Sequence, residues 1–106
     1  MIAGRLDEYV EVLNEGFPFA VERGADFRRL RWKLIRELRS NTKPAWACCT
    51  ILRLCRMLRR AGVLRASLAA FIAVLRRRQL ILESVYRIAT DFLRIVYGVI
   101  ARNIAA

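Results

Sequence analysis

The chain contains no histidine. That absence removes the side chain that titrates nearest neutrality, and with it the usual general base and any Cys–His zinc site. The three cysteines, Cys48, Cys49 and Cys55, do not make a disulfide framework. Adjacent cysteines rarely bridge, and on a helix Cys48 and Cys55 stand about two turns apart. Three thiolates without a fourth ligand are also a poor metal site. They read as small apolar fillers in a reducing, intracellular compartment.

Glycine and proline are few, with five and two residues. Gly4, Gly16, Gly24, Gly62 and Gly98 never approach the tight spacing of a phosphate-binding loop. Ser40, Ser67 and Ser84 lie in no nucleophile motif. The longest stretch with few charges, Ala61–Leu75, has 15 residues and carries Arg65. A membrane-spanning helix needs about 20 apolar residues, so no transmembrane span is expected, although a helix lying on a membrane surface is compatible with the pattern. Met1–Val10 contains Asp7 and Glu8 and lacks the apolar core of a signal peptide.

Acids are scarce beyond residue 26. Residues 1–26 hold six acids and two bases, a net of −4, whereas residues 27–106 hold three acids and 18 bases, a net of +15. Arginine supplies nearly all of that charge, because Lys33 and Lys43 are the only lysines. One domain of 106 residues is expected, with an acidic segment at 1–26 and a basic helical body at 27–106. A basic body seeks a polyanion: nucleic acid, anionic lipid or an acidic protein. The acidic start is placed to fold back and shield part of it.

Apolar residues are abundant, at 57% against about 45–50% in an average domain. Their spacing is helical and alternation is missing, so the fold class is all-α, with four or five helices. The first helix is expected from Ile2 or Ala3 to Asn14, closed by Gly16, Phe17 and Pro18. The second starts with Asp26 as N-cap and runs from Phe27 to about Arg39, with Phe27, Leu30, Leu34 and Leu38 inward. The polar turn 40–43 leads to Pro44 in the first turn of a third helix, which ends at Ala61 before Gly62. A fourth spans Leu64–Leu75. No proline or glycine interrupts Arg76-Arg77-Arg78-Gln79, so the helix is expected to continue through this collar to about Asn103, roughly 60 Å in all.

Between Leu80 and Ile104 the charged residues are Glu83, Arg87, Asp91, Arg94 and Arg102, all on one narrow stripe. Glu83 and Asp91 read as members of an intrahelical ladder with Arg87 and Arg94, and not as a catalytic carboxylate pair. The rest of that long C-terminal helix is apolar, which asks for cover from a larger helical core, a partner or a membrane surface. Phe71, Leu75, Val85, Ile88, Phe92, Ile95, Val96 and Val99 are the expected apolar interface.

The basic residues also fall in rows. Arg29, Lys33 and Arg36 share one face of the second helix, with Trp32 among its arginines, and Arg53, Arg56 and Arg60 share one face of the third. If these helices pack antiparallel, both rows line one surface. Arg76, Arg77 and Arg78 make a second patch. Guanidinium groups fork onto phosphate and carboxylate oxygens.

The run Ile51-Leu52-Arg53-Leu54-Cys55-Arg56-Met57-Leu58-Arg59-Arg60 resembles the opening of the small mitochondrial LYR-motif proteins, basic three-helix adaptors that bind acyl carrier protein. Cys55 stands where their tyrosine would be, and no assignment is built on these ten residues.

The expected function is non-catalytic, with no metal and no cofactor. The chain reads as an adaptor or structural subunit that self-associates as a homo-oligomer or docks obligately through apolar helix faces, with the arginine rows meeting an acidic partner. The alternative is shape-based binding of double-stranded RNA by a small helical dimer, and a second alternative is attachment to a membrane surface.

Overall fold

Residues 5–15 and 25–105 are described by the computed structural model, with side chains over 5–15 and 28–98. Five helices carry these residues, and no strand occurs among them: α1 Leu6–Asn14, α2 Ala25–Ser40, α3 Cys48–Arg60, α4 Arg65–Arg77 and α5 Glu83–Ala105. Gly16, Phe17 and Pro18, expected to close the first helix, lie outside the described residues, as do the side chains of Asp26 and Phe27.

Each helix folds because its apolar residues return at three-four spacing. In α3 these are Ile51, Leu54, Cys55 and Leu58, all buried, with Met57 half-buried against them. Leu34 and Leu38 of α2 are buried and Leu30 is half-buried, with Ile35 added to the inward face. Tyr9, Val12 and Leu13 of α1 and Leu68, Phe71, Ile72 and Leu75 of α4 complete one core. Each large side chain taken fully from water contributes about 1.5–3 kcal/mol before ordering costs are set against it.

The third helix starts later than expected. Pro44 stands in the preceding turn, where its carbonyl accepts the Ala47 N–H at 3.0 Å and the Thr50 hydroxyl at 3.2 Å. Asn41 braces the same turn: its amide donates to Thr50 Oγ1 at 3.3 Å and its side-chain oxygen accepts the Lys43 N–H at 2.9 Å. The turn reverses the chain. Asn41 meets Thr50, Glu37 meets Arg53, and Leu30 shares a groove with Arg60 and Ala61, so α2 and α3 run antiparallel.

The expected continuous helix from 64 to 103 is two helices. Gln79 adopts φ 58°, in the left-handed region. The Leu80 N–H reaches back to the Leu75 carbonyl at 2.8 Å and the Gln79 N–H to that of Arg76 at 3.0 Å. This pair of bonds is a Schellman stop. Leu75 and Leu80, the two apolar residues that flank such a stop, are both fully buried. Their burial offsets the cost of a left-handed non-glycine residue. Gly62, at φ 89°, ends α3 by the same device, with bonds from Val63 to Leu58 and from Gly62 to Arg59. The break at Gln79 lets α5 turn back onto α4 and α3, and the molecule measures 45 × 33 × 23 Å. The Tyr97 hydroxyl fixes that return by donating to the Val63 carbonyl at 2.7 Å.

The acidic N-terminal helix closes on this second turn. Arg5 donates to the carbonyls of Gln79 at 2.9 Å and Arg78 at 3.1 Å, while its guanidinium also holds Glu8 at 2.6 Å. That hydrogen bond keeps the Glu8 carboxyl below its ordinary pKa. Arg78 in turn pairs with Glu11 at 3.3 Å and Glu15 at 3.6 Å.

Candidate functional site

The antiparallel turn brings one cation of the α2 row to the basic row of α3. Lys33 of α2 and Arg53, Arg56 and Arg60 of α3 line one groove, joined by Lys43 from the turn. The groove is about 880 Å³ in volume, with Leu30, Cys49, Met57 and Ala61 as its apolar lining. Glu37 is the acid that lines it, and its Oε1 lies 2.5 Å from Arg53 Nη2. Arg56 keeps its guanidinium 5.5 Å from the centre of the Phe92 ring, which ties one groove wall to α5.

Arg29 and Arg36, the other expected members of the first patch, are exposed on α2 but do not line the groove. Arg36 borders a second depression of about 410 Å³, on the far side of the helix, with Trp32, Ile35, Arg39 and Ser40. The basic surface is therefore a strip that crosses α2 and continues over the groove onto α3.

Arg76, Arg77 and Arg78 are adjacent in sequence but do not form one patch. Arg76 donates to Glu83 at 2.9 Å and sits 4.5 Å from the centre of the Tyr86 ring. The hydrogen bond to Glu83 raises the Arg76 pKa above its ordinary value. Arg78 is taken by Glu11 and Glu15. Arg77 is exposed. The expected ladder on the last helix is altered by the same contact: Glu83 reaches back to Arg76, whereas Asp91 does pair along the helix with Arg94, at 3.1 Å.

The expected apolar interface divides as well. Phe71, Leu75 and Val85 are covered by the chain's own helices and are not available to a partner while it is folded. Phe92 and Val96 are half-buried, and the side chain of Val99 lies outside the described residues. Ile88 and Ile95 are open, at 46% and 60% exposure. Val85, Ala89 and Leu93 form the buried row of α5, so this helix is amphipathic within the chain itself.

Lys43 and Glu37 were not among the expected site residues. Counting outward from the 40–44 turn along two antiparallel helices would have placed both beside Arg53. Among the described residues no helix is long and apolar enough to cross a membrane. No protein-family model matches the chain, and no curated protein and no solved structure is similar to it.

Proposed function

We propose that this protein is a non-catalytic binding module whose α2–α3 surface takes the phosphate backbone of a nucleic acid. The observation that carries the reading is the groove: Lys33, Lys43, Arg53, Arg56 and Arg60 converge on it, against one acid among the described residues, Glu37. Like charges gathered on a small surface repel one another, and an arriving polyanion relieves that repulsion. Each phosphate neutralised also releases counterions, so affinity falls with salt in proportion to the number of contacts. The three free cysteines suit a reducing compartment.

Substituting Arg53→Gln, Arg56→Gln and Arg60→Gln together tests this. Binding of a short labelled RNA, followed by fluorescence anisotropy across a salt series, is expected to weaken. The slope of log affinity against log salt is expected to shrink by about 1.5, the share of Arg56 and Arg60, because Glu37 holds Arg53. Wild-type binding that is absent, or flat with salt, sinks the reading.

A second reading is docking through α5, onto a second copy or another protein. It is supported by Ile88 and Ile95, which lie seven residues apart and are both exposed on one edge of that helix. It is the smaller part of the proposal, because three of the apolar residues first assigned to this role are spent in the core.

A further inference from the structure

We infer that the outer face of α2 is a stacking platform for an unpaired nucleobase, with Trp32 as the platform and the flanking arginines as its phosphate contacts. This rests on the nucleic-acid reading above and adds to it the form of nucleic acid bound, a single strand.

The placement of Trp32 is the first observation. At about 100° per residue, the exposed positions of α2 sweep an arc of roughly 140°. Around that arc they run Arg28, Arg39, Trp32, Arg36, Arg29, Ser40 and Lys33. The indole thus stands among five cations, with two arginines on either side. Among the described residues, none of these five cations is paired with a carboxylate.

The second observation is exposure. Trp32 is 59% exposed, although Ile35 in the next turn is buried and does the packing. An indole left in water forgoes a large part of the apolar stabilisation it could give. It borders the depression shared with Ile35, Arg36, Arg39 and Ser40, a concave surface of about 410 Å³.

The chemistry of a ligand follows from these two features. A flat aromatic face surrounded by guanidinium groups that no described carboxylate holds matches a flat base joined to a phosphate chain. A duplex keeps its base faces stacked inside and offers none to Trp32. A helix lying on an anionic membrane presents an apolar face to the lipid, whereas one residue in the seven of this arc is apolar. An acidic protein would satisfy the arginines and would gain nothing particular from an aromatic ring.

The test compares three labelled ligands by fluorescence anisotropy: a short single-stranded RNA, an abasic oligomer of equal length and charge, and a duplex of the same sequence. The single strand is expected to bind about tenfold more tightly than the abasic oligomer. Trp32→Leu, which keeps an apolar side chain without the ring, is expected to abolish that preference and leave abasic binding unchanged. Trp32→Phe is expected to retain most of it. Indole fluorescence in the wild type should be quenched by the base-bearing strand and not by the abasic one. Because Trp32 is exposed, the fold of each variant is checked simply by circular dichroism.

Equal affinity for the base-bearing and abasic strands overturns the inference, as does indifference to Trp32→Leu or a preference for the duplex. So does binding to phosphatidylserine vesicles in place of either oligomer. If both oligomers bind and respond to the Arg53, Arg56 and Arg60 substitutions but not to Trp32→Leu, the platform fails and the groove reading stands. If neither oligomer binds, both fail.

Discussion

Glu37 reaches across from α2 to Arg53 of α3, Oε1 to Nη2 at 2.5 Å, and so holds one of the groove's cations. Both groups keep contact with water, so the pair adds well under about 1 kcal/mol to stability. Its larger effect is on charge, because it removes Arg53 from any phosphate that enters. Glu37→Gln is therefore expected to leave the melting temperature nearly unchanged while strengthening RNA binding. One added phosphate contact steepens the salt slope by about 0.7 for a single strand, which at about 0.1 M salt is up to fivefold in affinity. Anisotropy titrations at several salt concentrations read both quantities, and an unchanged slope would remove Arg53 from the binding surface.

The stop at Gln79 makes an independent prediction about stability. A side chain at φ 58° crowds its own carbonyl, at a cost of about 1–2 kcal/mol relative to the right-handed region. Glycine has no such cost but gives more freedom to the unfolded chain. Gln79→Gly is expected to stabilise the protein by about 0.5–1 kcal/mol, seen as a higher urea midpoint with the same slope. A β-branched residue there, as in Gln79→Val, is expected to destabilise it. If Gln79→Gly lowers the midpoint, the left-handed turn is not the stop between α4 and α5.

That turn also shows how far the sequence can be read. Leu34 and Leu38 were legible as core from spacing alone, and so were the rows Lys33 and Arg53–Arg56–Arg60 as surface, because a helix repeats its environment every three or four residues. Gln79 gave no such sign. Glutamine is a good helix former, and the stop becomes favourable only when Leu75 and Leu80 find a common core. The same distinction governs α5. Its apolar excess was plain, but periodicity does not say whether the cover for Val85 and Leu93 comes from this chain or from another. Arg78 shows the limit for charge: its partner Glu11 lies 67 residues away, so three adjacent arginines could not be read as one patch.

Cys55 links the core to pH. Burial pushes its thiol up from an ordinary 9 to about 12. The neutral form is the one the fold prefers. Below about pH 9 both folded and unfolded chains carry the proton, and this contribution to stability is fully present. Above it the unfolded chain ionises first, so the contribution falls as pH rises from about 9 towards 12. At about pH 10 the loss is on the order of 1 kcal/mol. Cys55→Ala is expected to be less stable than wild type near neutrality, with that difference shrinking by about this amount at pH 10. Urea midpoints of both proteins at the two pH values check it, and parallel curves would mean that Cys55 is reached by water. Cys49, which is exposed, should be alkylated long before Cys55.

Phe71 and Ile95 separate the apolar residues that hold the fold from those left for a partner. Phe71 is fully buried in α4, in the layer that α5 covers, while Ile95 stands on the outer edge of α5. Phe71→Ala leaves a cavity in a core of this size and is expected to cost about 3–5 kcal/mol, a large part of the stability of any small domain. Ile88→Ser and Ile95→Ser replace apolar side chains that are about half exposed, and each is expected to change stability by about 0.5 kcal/mol or less. Their effect should appear instead in mass. If a second copy docks on this edge, light scattering shows the wild type above the monomer mass and the double substitution at it. Equal masses, with the serines tolerated, would leave the arginine surface as the binding face supported by the fold. A large loss of stability from Ile95→Ser would place that side chain in the core, and α5 would then have to pack more closely on α3 than its exposed isoleucines imply.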